Sequence, residues 1–233
     1  MKITHIALAA LLAASLSPSI ARAAEWKLVP ITAHAPNVWK EAPNWTYEAG
    51  NPMTDNGARW TLSAQTTKDP SLTATYTAME KATAWKYFYV WGLGAEQPHM
   101  YRDMILSSKA ADNTPQAGPS SVIRFRPPTA GTYKIDIVGT AVTQNPTAGH
   151  CRATIYILSP DASSATQLAA VDLNNGTPGA FGSFPNKLNY HSDVPLKKDE
   201  ELAVRLQTIN PGPASAGSST LTFDTFTVST AKP

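Results

Sequence analysis

The 233-residue sequence carries 19 basic and 17 acidic side chains and a single cysteine. This near-neutral balance, without a basic run, excludes the electrostatic attraction that supplies most nucleic-acid affinity. One cysteine cannot form an internal disulfide, so we predict that Cys151 is a small buried hydrophobe within a strand.

An export signal is the first element that the sequence predicts. Lys2 supplies a positive start, residues 6–16 form an apolar run, and residues 21–23 read Ala-Arg-Ala, which predicts cleavage after Ala23. The apolar run is shorter than the roughly 20 residues that a membrane span needs. We therefore predict a signal peptide over residues 1–23 and no membrane insertion after its removal.

The mature chain is predicted to be one β-sandwich domain over residues 24–233, in the periplasm or secreted from a Gram-negative bacterium. Cleavage removes Lys2 and Arg22 and no acidic residue, which leaves 17 basic and 17 acidic side chains and a net charge of zero. The neutral mature chain has no polybasic membrane patch.

Alternation of apolar and polar residues dominates the mature chain, and this period of two is typical of half-buried strands. It predicts strands over residues 60–64, 72–76, 122–125, 133–137, 153–158, 202–206 and 221–228. Turn-forming clusters separate these strands, among them residues 51–57, 112–115, 129–131, 174–176 and 210–213. About ten strands at this spacing predict an all-β fold, an antiparallel β-sandwich of the jelly-roll type.

The last predicted strand has apolar residues on both faces. Strict alternation places Leu221 and Phe223 on one face and Phe226 and Val228 on the other. This pattern predicts a strand that is covered on both sides or lies at a sheet edge.

Three segments carry a resemblance to a known family. They are residues 42–47 (Ala-Pro-Asn-Trp-Thr-Tyr) followed by Trp60, residues 121–135, and residues 194–204. Together they resemble secreted jelly-roll modules that are similar to the carbohydrate-binding modules of polysaccharide-degrading bacteria. The resemblance implies the fold and a glycan-rich setting, and it transfers no binding residue.

Local physical chemistry explains the middle segment. Pro127 and Pro128 cannot donate to a strand ladder and should end a strand. Gly131 is predicted to supply a positive φ in the turn, and Tyr133 to begin a returning strand that packs on Phe125.

The third segment is predicted to form a hairpin between Leu196 and Leu202. Its turn has Lys198-Asp199 where the resembling modules usually have Gly-Asp. The acidic run 199–201 is predicted to be a solvated turn, because paired catalytic carboxylates would be expected in a cleft.

The densest aromatic stretch is the candidate ligand-binding site. Period two places Trp85, Tyr87, Tyr89 and Trp91 on one face of a single strand. Pyranose rings stack on such aromatic faces, so this row, helped by Trp39 in a Pro- and Asn-rich loop, is predicted to bind a polysaccharide or other glycan. The alternative is that the row is core.

Two other tryptophans, Trp45 and Trp60, are predicted to be core residues. No catalytic residues are predicted, because no hydrolase nucleophile motif occurs. The mature histidines (34, 99, 150 and 191) lack metal-ligand spacing, so no metal site is predicted. A structural calcium ion is the one cofactor left open, with Asp172, Asn174 and Asn175 as oxygen donors.

Three functions remain open from the sequence. The first is an exported, non-catalytic glycan-binding or glycan-associated module. The second is a structural or protein-interaction domain of the cell envelope. The third is a small polysaccharide lyase, whose base and charge neutraliser would be sought at Tyr190 and His191 with Arg102 or Arg124.

Overall fold

The computed structural model is an antiparallel β-sandwich made of two sheets packed against each other. It describes residues 23–28, 52–65, 71–73, 75–85, 88–92, 99–101, 104–106, 120–143, 150–173, 185–209 and 219–230. These residues form strands and short connections and contain no helix, and among them no helix is therefore long and apolar enough to cross a membrane.

The first sheet has the order β13-β10-β15-β8-β7-β6-β5, and β1 pairs with β15 beside β8. Its eight strands are β1 (Glu25–Lys27), β5 (Glu80–Trp85), β6 (Phe88–Gly92), β7 (His99–Tyr101), β8 (Met104–Leu106), β10 (Gly131–Thr143), β13 (Lys187–Leu196) and β15 (Ser219–Thr230).

The second sheet has the order β12-β11-β14-β9-β3-β2, and β4 also pairs with β3. Its seven strands are β2 (Met53–Asp55), β3 (Ala58–Gln65), β4 (Tyr76–Ala78), β9 (Ser120–Arg126), β11 (His150–Leu158), β12 (Ala165–Leu173) and β14 (Glu201–Ile209).

Strand pairing defines a jelly roll. Four antiparallel pairs are nested in the chain: β11 with β12, β10 with β13, β9 with β14, and β8 with β15. The nested pairs alternate between the two sheets. This is the pattern of one long hairpin rolled into a sandwich, so the predicted fold class is confirmed.

The core lies between the sheets and is built on aromatic contacts. The Trp60 ring lies 4.7 Å from Phe125 in its own sheet and 5.3 Å from Phe226 in the other. The Trp26 ring lies 5.6 Å from Phe125 and 6.1 Å from Tyr133. Trp60 is fully buried, which confirms its predicted core position. Cys151 is also fully buried, as predicted.

A β-bulge corrects the predicted faces of the last strand. Val138 of β10 pairs with Thr225 and Gly139 pairs with Phe223, so Asp224 is an extra residue in β15. The inserted residue shifts the side-chain alternation by one position. Apolar residues on both sides of the bulge are therefore buried in the same core: Leu221, Phe223, Phe226 and Val228.

Gly139 leaves the space that this bulge requires. A Cβ atom at Gly139 would lie 2.8 Å from the Thr222 carbonyl oxygen and 3.1 Å from Leu221 Cδ1. Real Cβ atoms do not approach backbone oxygens so closely, so any larger residue must displace β15.

The predicted returning strand at Tyr133 and the predicted hairpin after Leu196 both follow crossings between the sheets. The motif that contains Phe125 and Tyr133 joins β9 in the second sheet to β10 in the first. The charged run after Leu196 likewise joins β13 to β14 across the sandwich. The hairpin prediction was wrong because alternation marks strands but not their partners.

Turn chemistry is confirmed in one place and corrected in another. Asp55 pairs with Ala58, and the two residues between them, Asn56 and Gly57, have φ of 46° and 80°. Both positive angles suit an Asn-Gly hairpin turn. Gly131 instead begins β10 and is absent from the described residues with positive φ, while Asp199 has φ of 64°.

One predicted strand is displaced along the chain. The alternation over residues 72–76 predicts a strand, but Leu72 and Thr73 form a turn and β4 begins only at Tyr76. The Tyr76 hydroxyl donates a hydrogen bond to the Leu72 carbonyl, which closes the turn against the strand.

Candidate binding face

The outer face of the second sheet is the candidate functional site, because it carries a connected set of polar and charged side chains. An outer sheet face is usually solvated. Here eight polar or charged residues of that face are at most 5% exposed: Thr61, Ser63, Gln65, Ser120, Thr154, Glu201, Arg205 and Gln207. We call this surface the outer face.

Three arginines surround one carboxylate at one end of this face. Glu201, which is 2% exposed, begins β14 beside β9. Its Oε1 accepts hydrogen bonds from Arg59 Nη2 at 3.1 Å and from Arg126 Nε at 3.2 Å, and it lies 3.0 Å from Arg126 Nη2 in an ion pair. Its Oε2 accepts a hydrogen bond from Arg124 Nη1 at 3.0 Å. We call Arg59, Arg124 and Arg126 the arginine cluster.

The strand register brings these like charges together. Arg59 of β3 is directly opposite Arg126 of β9, and Thr61 is opposite Arg124. Directly opposed like charges destabilise a sheet. The buried Glu201 carboxylate offsets this repulsion, and the exposed Asp199 carboxylate adds an ion pair at 3.8 Å from Arg126.

An aromatic pair occupies the middle of the face. The Arg124 guanidinium lies 5.1 Å from the centre of the Tyr76 ring, within the range of a cation–π interaction. The hydroxyl groups of Tyr76 and Tyr156 are 2.8 Å apart. Tyr156 is completely buried and packs in a small apolar cluster with Val122 and Leu158.

Burial controls the protonation of both phenols. Burial raises the pKa of Tyr156 well above its ordinary value of 10, and the nearby Tyr76 adds to that shift. Burial also raises the pKa of Tyr76, against the lowering effect of its hydrogen bond with Tyr156 and of nearby arginines. Both hydroxyls therefore stay protonated at neutral pH.

A second polar cluster lies toward the other end. Gln65 Oε1 accepts hydrogen bonds from Ser120 Oγ at 3.3 Å and from Arg205 Nη1 at 3.2 Å. Gln65 Nε2 and Arg205 Nη1 each donate to the Ser71 carbonyl at 3.3 Å. These bonds tie the turn at residues 71–73 to the sheet.

The solvated acidic turn predicted for residues 199–201 is correct only in part. Asp199 is exposed, but Glu201 is buried in the arginine cluster. Alternation in Arg124-Phe125-Arg126 could have indicated a charged face opposite a core face. No sequence signal paired that face with Glu201, which is 75 residues beyond Arg126 in the chain.

The predicted aromatic row does not lie on a single strand. Trp85 ends β5, Phe88 begins the antiparallel strand β6, and these two residues are paired. Tyr89 and Trp91 therefore belong to a different strand from Trp85. Tyr87 lies outside the described residues, as do Trp39 and Trp45. Glycan binding by these aromatics stays a prediction.

The lyase residues that the sequence offered are not brought together. Tyr190 packs against the core and His191 is exposed, and both lie in the first sheet, while Arg124 is on the outer face of the second. His191 Nδ1 is 2.9 Å from Asp136 Oδ1, and its Nε2 is 2.5 Å from Asn189 Oδ1. Arg102 lies outside the described residues.

Metal ligands are not clustered in the described part of the chain, where no group of three or more His, Cys, Asp or Glu side chains could hold an ion. Asp172, one of the oxygen donors considered for calcium, accepts hydrogen bonds from Arg152 at 2.7 and 2.9 Å. Asn174 and Asn175 lie outside the described residues.

The fold and this face together define an all-β jelly-roll sandwich with a polar, arginine-rich outer surface on one sheet. No protein-family model matches the chain. No curated protein matches it either.

Solved structures with some likeness include "Structure of infectious bursal disease virus Gt strain", with 14% identity over 77% of this chain and a TM-score of 0.30. The Gx strain structure has 15% identity over 77% of this chain and a TM-score of 0.23. In both comparisons the match covers 54% of the viral chain, so this chain spans about half their length. Likenesses at this level carry no argument about function.

Proposed function

We propose that the chain is an exported, non-catalytic glycan-binding module that acts in the periplasm or outside the cell. The observation that carries the proposal is the contact between the Tyr76 ring and the Arg124 guanidinium on the outer face. An aromatic ring can stack on the C–H face of a sugar, and a guanidinium can donate hydrogen bonds to its oxygen atoms. Tyr76 and Arg124 are both only partly buried.

A flat sheet supports this role because it fixes the spacing of its side chains. β3, β9, β14 and β11 are neighbours with continuous register across the face. Neighbouring strands lie about 4.8 Å apart, and this spacing fixes Arg59, Arg124 and Arg126 relative to one another at the end of the face where side chains are partly exposed. The hydrogen bonds of Gln65 and Arg205 hold the covering turn in place.

The aromatic hairpin β5–β6 is the other candidate surface. It carries Trp85, Tyr89 and Trp91 at the edge of the first sheet, on the opposite layer from Tyr76. Variants of the two surfaces can therefore separate them.

A glycan array with the mature protein tests the proposal. We expect Tyr76→Leu to abolish the signal. Because it also removes the hydrogen bonds of the Tyr76 hydroxyl to Leu72 and to the buried Tyr156, Tyr76→Phe, which loses the same bonds but keeps the ring, is the stability control and should still bind. Thr77→Ala, on the same strand with an exposed side chain, is the matched control and should bind normally. Loss of binding in Tyr89→Ala and Trp91→Ala alone, at unchanged Tm, would assign the site to the hairpin.

A blank array would contradict the proposal. A protein captured specifically from an envelope extract would then favour the structural or protein-interaction domain.

Polysaccharide lyase activity is the second candidate, because the outer face gathers tyrosine, arginine and glutamine side chains. Arg124 and Arg205 both lie near the Tyr76–Tyr156 pair. A catalytic base needs a pKa near the working pH, whereas burial raises the pKa of both phenols. The face therefore favours binding over proton abstraction. Release of an unsaturated, ultraviolet-absorbing sugar from an acidic polysaccharide would reverse that preference.

A further inference from the structure

We propose that the arginine cluster binds the anionic groups of an acidic glycan, such as the carboxylates of a polyuronate. This inference rests on the proposed glycan-binding function and names its ligand class. It starts from Glu201, whose carboxylate accepts three hydrogen bonds from the cluster and forms a further ion-pair contact with Arg126 Nη2. A carboxylate has about four lone-pair sites and each guanidinium has five N–H donors, so one carboxylate cannot satisfy the donors of three guanidiniums.

Some N–H groups of the arginine cluster form no hydrogen bond with Glu201. Arg59 donates to Glu201 through Nη2 alone, and its Nε is buried without a hydrogen-bond partner among the described residues. Arg124 uses Nε on Ser63 and Nη1 on Glu201, which leaves its Nη2 without a hydrogen bond in the described part of the structure. A guanidinium carries five N–H donors in a planar fork, so Arg59 and Arg124 keep N–H groups that meet no acceptor among the described residues; of these, the buried Arg59 Nε is not one that a ligand can reach.

The arginine cluster also carries excess positive charge. Three guanidiniums face the buried Glu201 carboxylate and one exposed carboxylate, Asp199, at the longer distance of 3.8 Å. The turn beside them contains Lys197, Lys198 and Glu200, whose charges add one further positive unit. The mature chain as a whole, this cluster included, has equal numbers of basic and acidic side chains, so the positive charge is a local feature and not part of a general basic surface.

The cluster is open to solvent on one side. The side chains of Arg59, Arg126 and Arg124 are 39%, 25% and 18% exposed, while that of Glu201 is 3% exposed. A ligand can therefore reach the guanidiniums without displacing Glu201. Guanidinium forks match carboxylate and sulfate groups in a bidentate geometry that neutral hydroxyls cannot use. The neighbouring Tyr76 ring, 5.1 Å from Arg124, would contact the sugar ring that bears the anion.

The Asp199 carboxylate allows a direct test of anion binding at the cluster. Its carboxylate is exposed and paired with Arg126 at 3.8 Å, so it competes with an incoming anion. Asp199→Asn, which removes the charge and tolerates the positive φ of this position, should therefore bind an acidic glycan more tightly than the parent does.

The experiment is titration calorimetry of the mature protein with polygalacturonate, with a neutral galactan, and with sodium sulfate and free galacturonate. We expect binding of polygalacturonate alone at low concentration. Arg59→Gln should weaken it about tenfold, the effect of losing one charged hydrogen bond of roughly 1.4 kcal/mol. Arg152→Gln is the matched control, because Arg152 lies on the same sheet, is paired with Asp172 and is 45% exposed; it should bind like the parent.

Each other outcome is decisive. Equal weakening by Arg59→Gln and Arg152→Gln would overturn the site and leave only general charge attraction. Binding of the galactan but not of polygalacturonate would overturn the acidic ligand while keeping the proposed function. Sulfate or galacturonate bound as tightly as the polymer would reduce the site to a simple anion site. No binding to any glycan would overturn the proposed function itself.

Folding of the variants is checked by Tm. If Arg59→Gln fails to fold, Asp199→Asn is the deciding variant. Unchanged or weaker binding of polygalacturonate by Asp199→Asn would contradict competition at the cluster.

Discussion

Arg59 and Arg126 are directly opposite each other on neighbouring strands, and both donate hydrogen bonds to Oε1 of the buried Glu201. The carboxylate converts a repulsive cross-strand pair into a connected group that also includes Arg124. Because the hydrogen bonds leave the guanidiniums partly exposed, the same carboxylate stabilises the sheet and presents a positive surface.

Glu201→Gln should therefore destabilise the protein. It removes the charge that three guanidiniums share and turns an amide N–H toward donors. Breaking a buried ion pair costs about 3–5 kcal/mol, and partial exposure of the arginines reduces this to about 2–3 kcal/mol. Urea denaturation measures the loss. Asp193→Asn, at an exposed position of β13, is the control. If the urea midpoint of Glu201→Gln equals that of Asp193→Asn, the arginine cluster adds no stability.

Gly139→Ala tests the close approach at the bulge. The added Cβ would meet the Thr222 carbonyl oxygen at 2.8 Å, and overpacking of this kind costs about 1–3 kcal/mol. Gly131→Ala is the matched control, because its Cβ would meet Tyr133 Cε2 only at 3.7 Å and should change stability by less than about 0.5 kcal/mol. Thermal melting of the two variants side by side is the measurement, and equal Tm values would refute the steric argument.

Deletion of Asp224 should unfold the domain, whereas Asp224→Ala should change its stability by less than about 0.5 kcal/mol. The Asp224 side chain is exposed, but the residue itself keeps Phe223 and Phe226 on the same side of β15. Without it, one half of the strand turns its apolar side chains outward. Each large side chain that leaves the core costs about 3–5 kcal/mol. Losing more than one would therefore cancel most of a typical free energy of unfolding of about 5–15 kcal/mol. Near-ultraviolet circular dichroism reports the packing; a native spectrum for the deletion would contradict the bulge.

Tyr156 should make the protein sensitive to alkaline pH. Burial raises its pKa in the folded state, so its stabilising effect is complete below the unfolded pKa of about 10. That effect is lost as the pH rises from there through the folded pKa, because the unfolded chain ionises first. Between about pH 8 and about pH 10.5, the urea midpoint should fall further for the parent protein than for Tyr156→Phe. Parallel slopes would mean that this phenol does not control the transition.

Strand positions were predictable from the sequence wherever one side of a strand faces the core. Residues 122–125, 133–137, 153–158 and 202–206 all fall within observed strands. Alternation sufficed there because burial of one sheet face imposes a period of two. The Asn56-Gly57 turn was also visible, since positive φ angles need these residue types.

The tertiary structure alone decided which strands pair and which faces meet. Residue alternation is local, whereas the nested pairs join segments up to about a hundred residues apart, such as β8 and β15. The bulge at Asp224 broke the period that the sequence argument assumed. The arginine cluster required β3, β9 and β14 to lie side by side before Glu201 could meet three guanidiniums. Such a site depends on long-range register, which no motif within a single strand encodes.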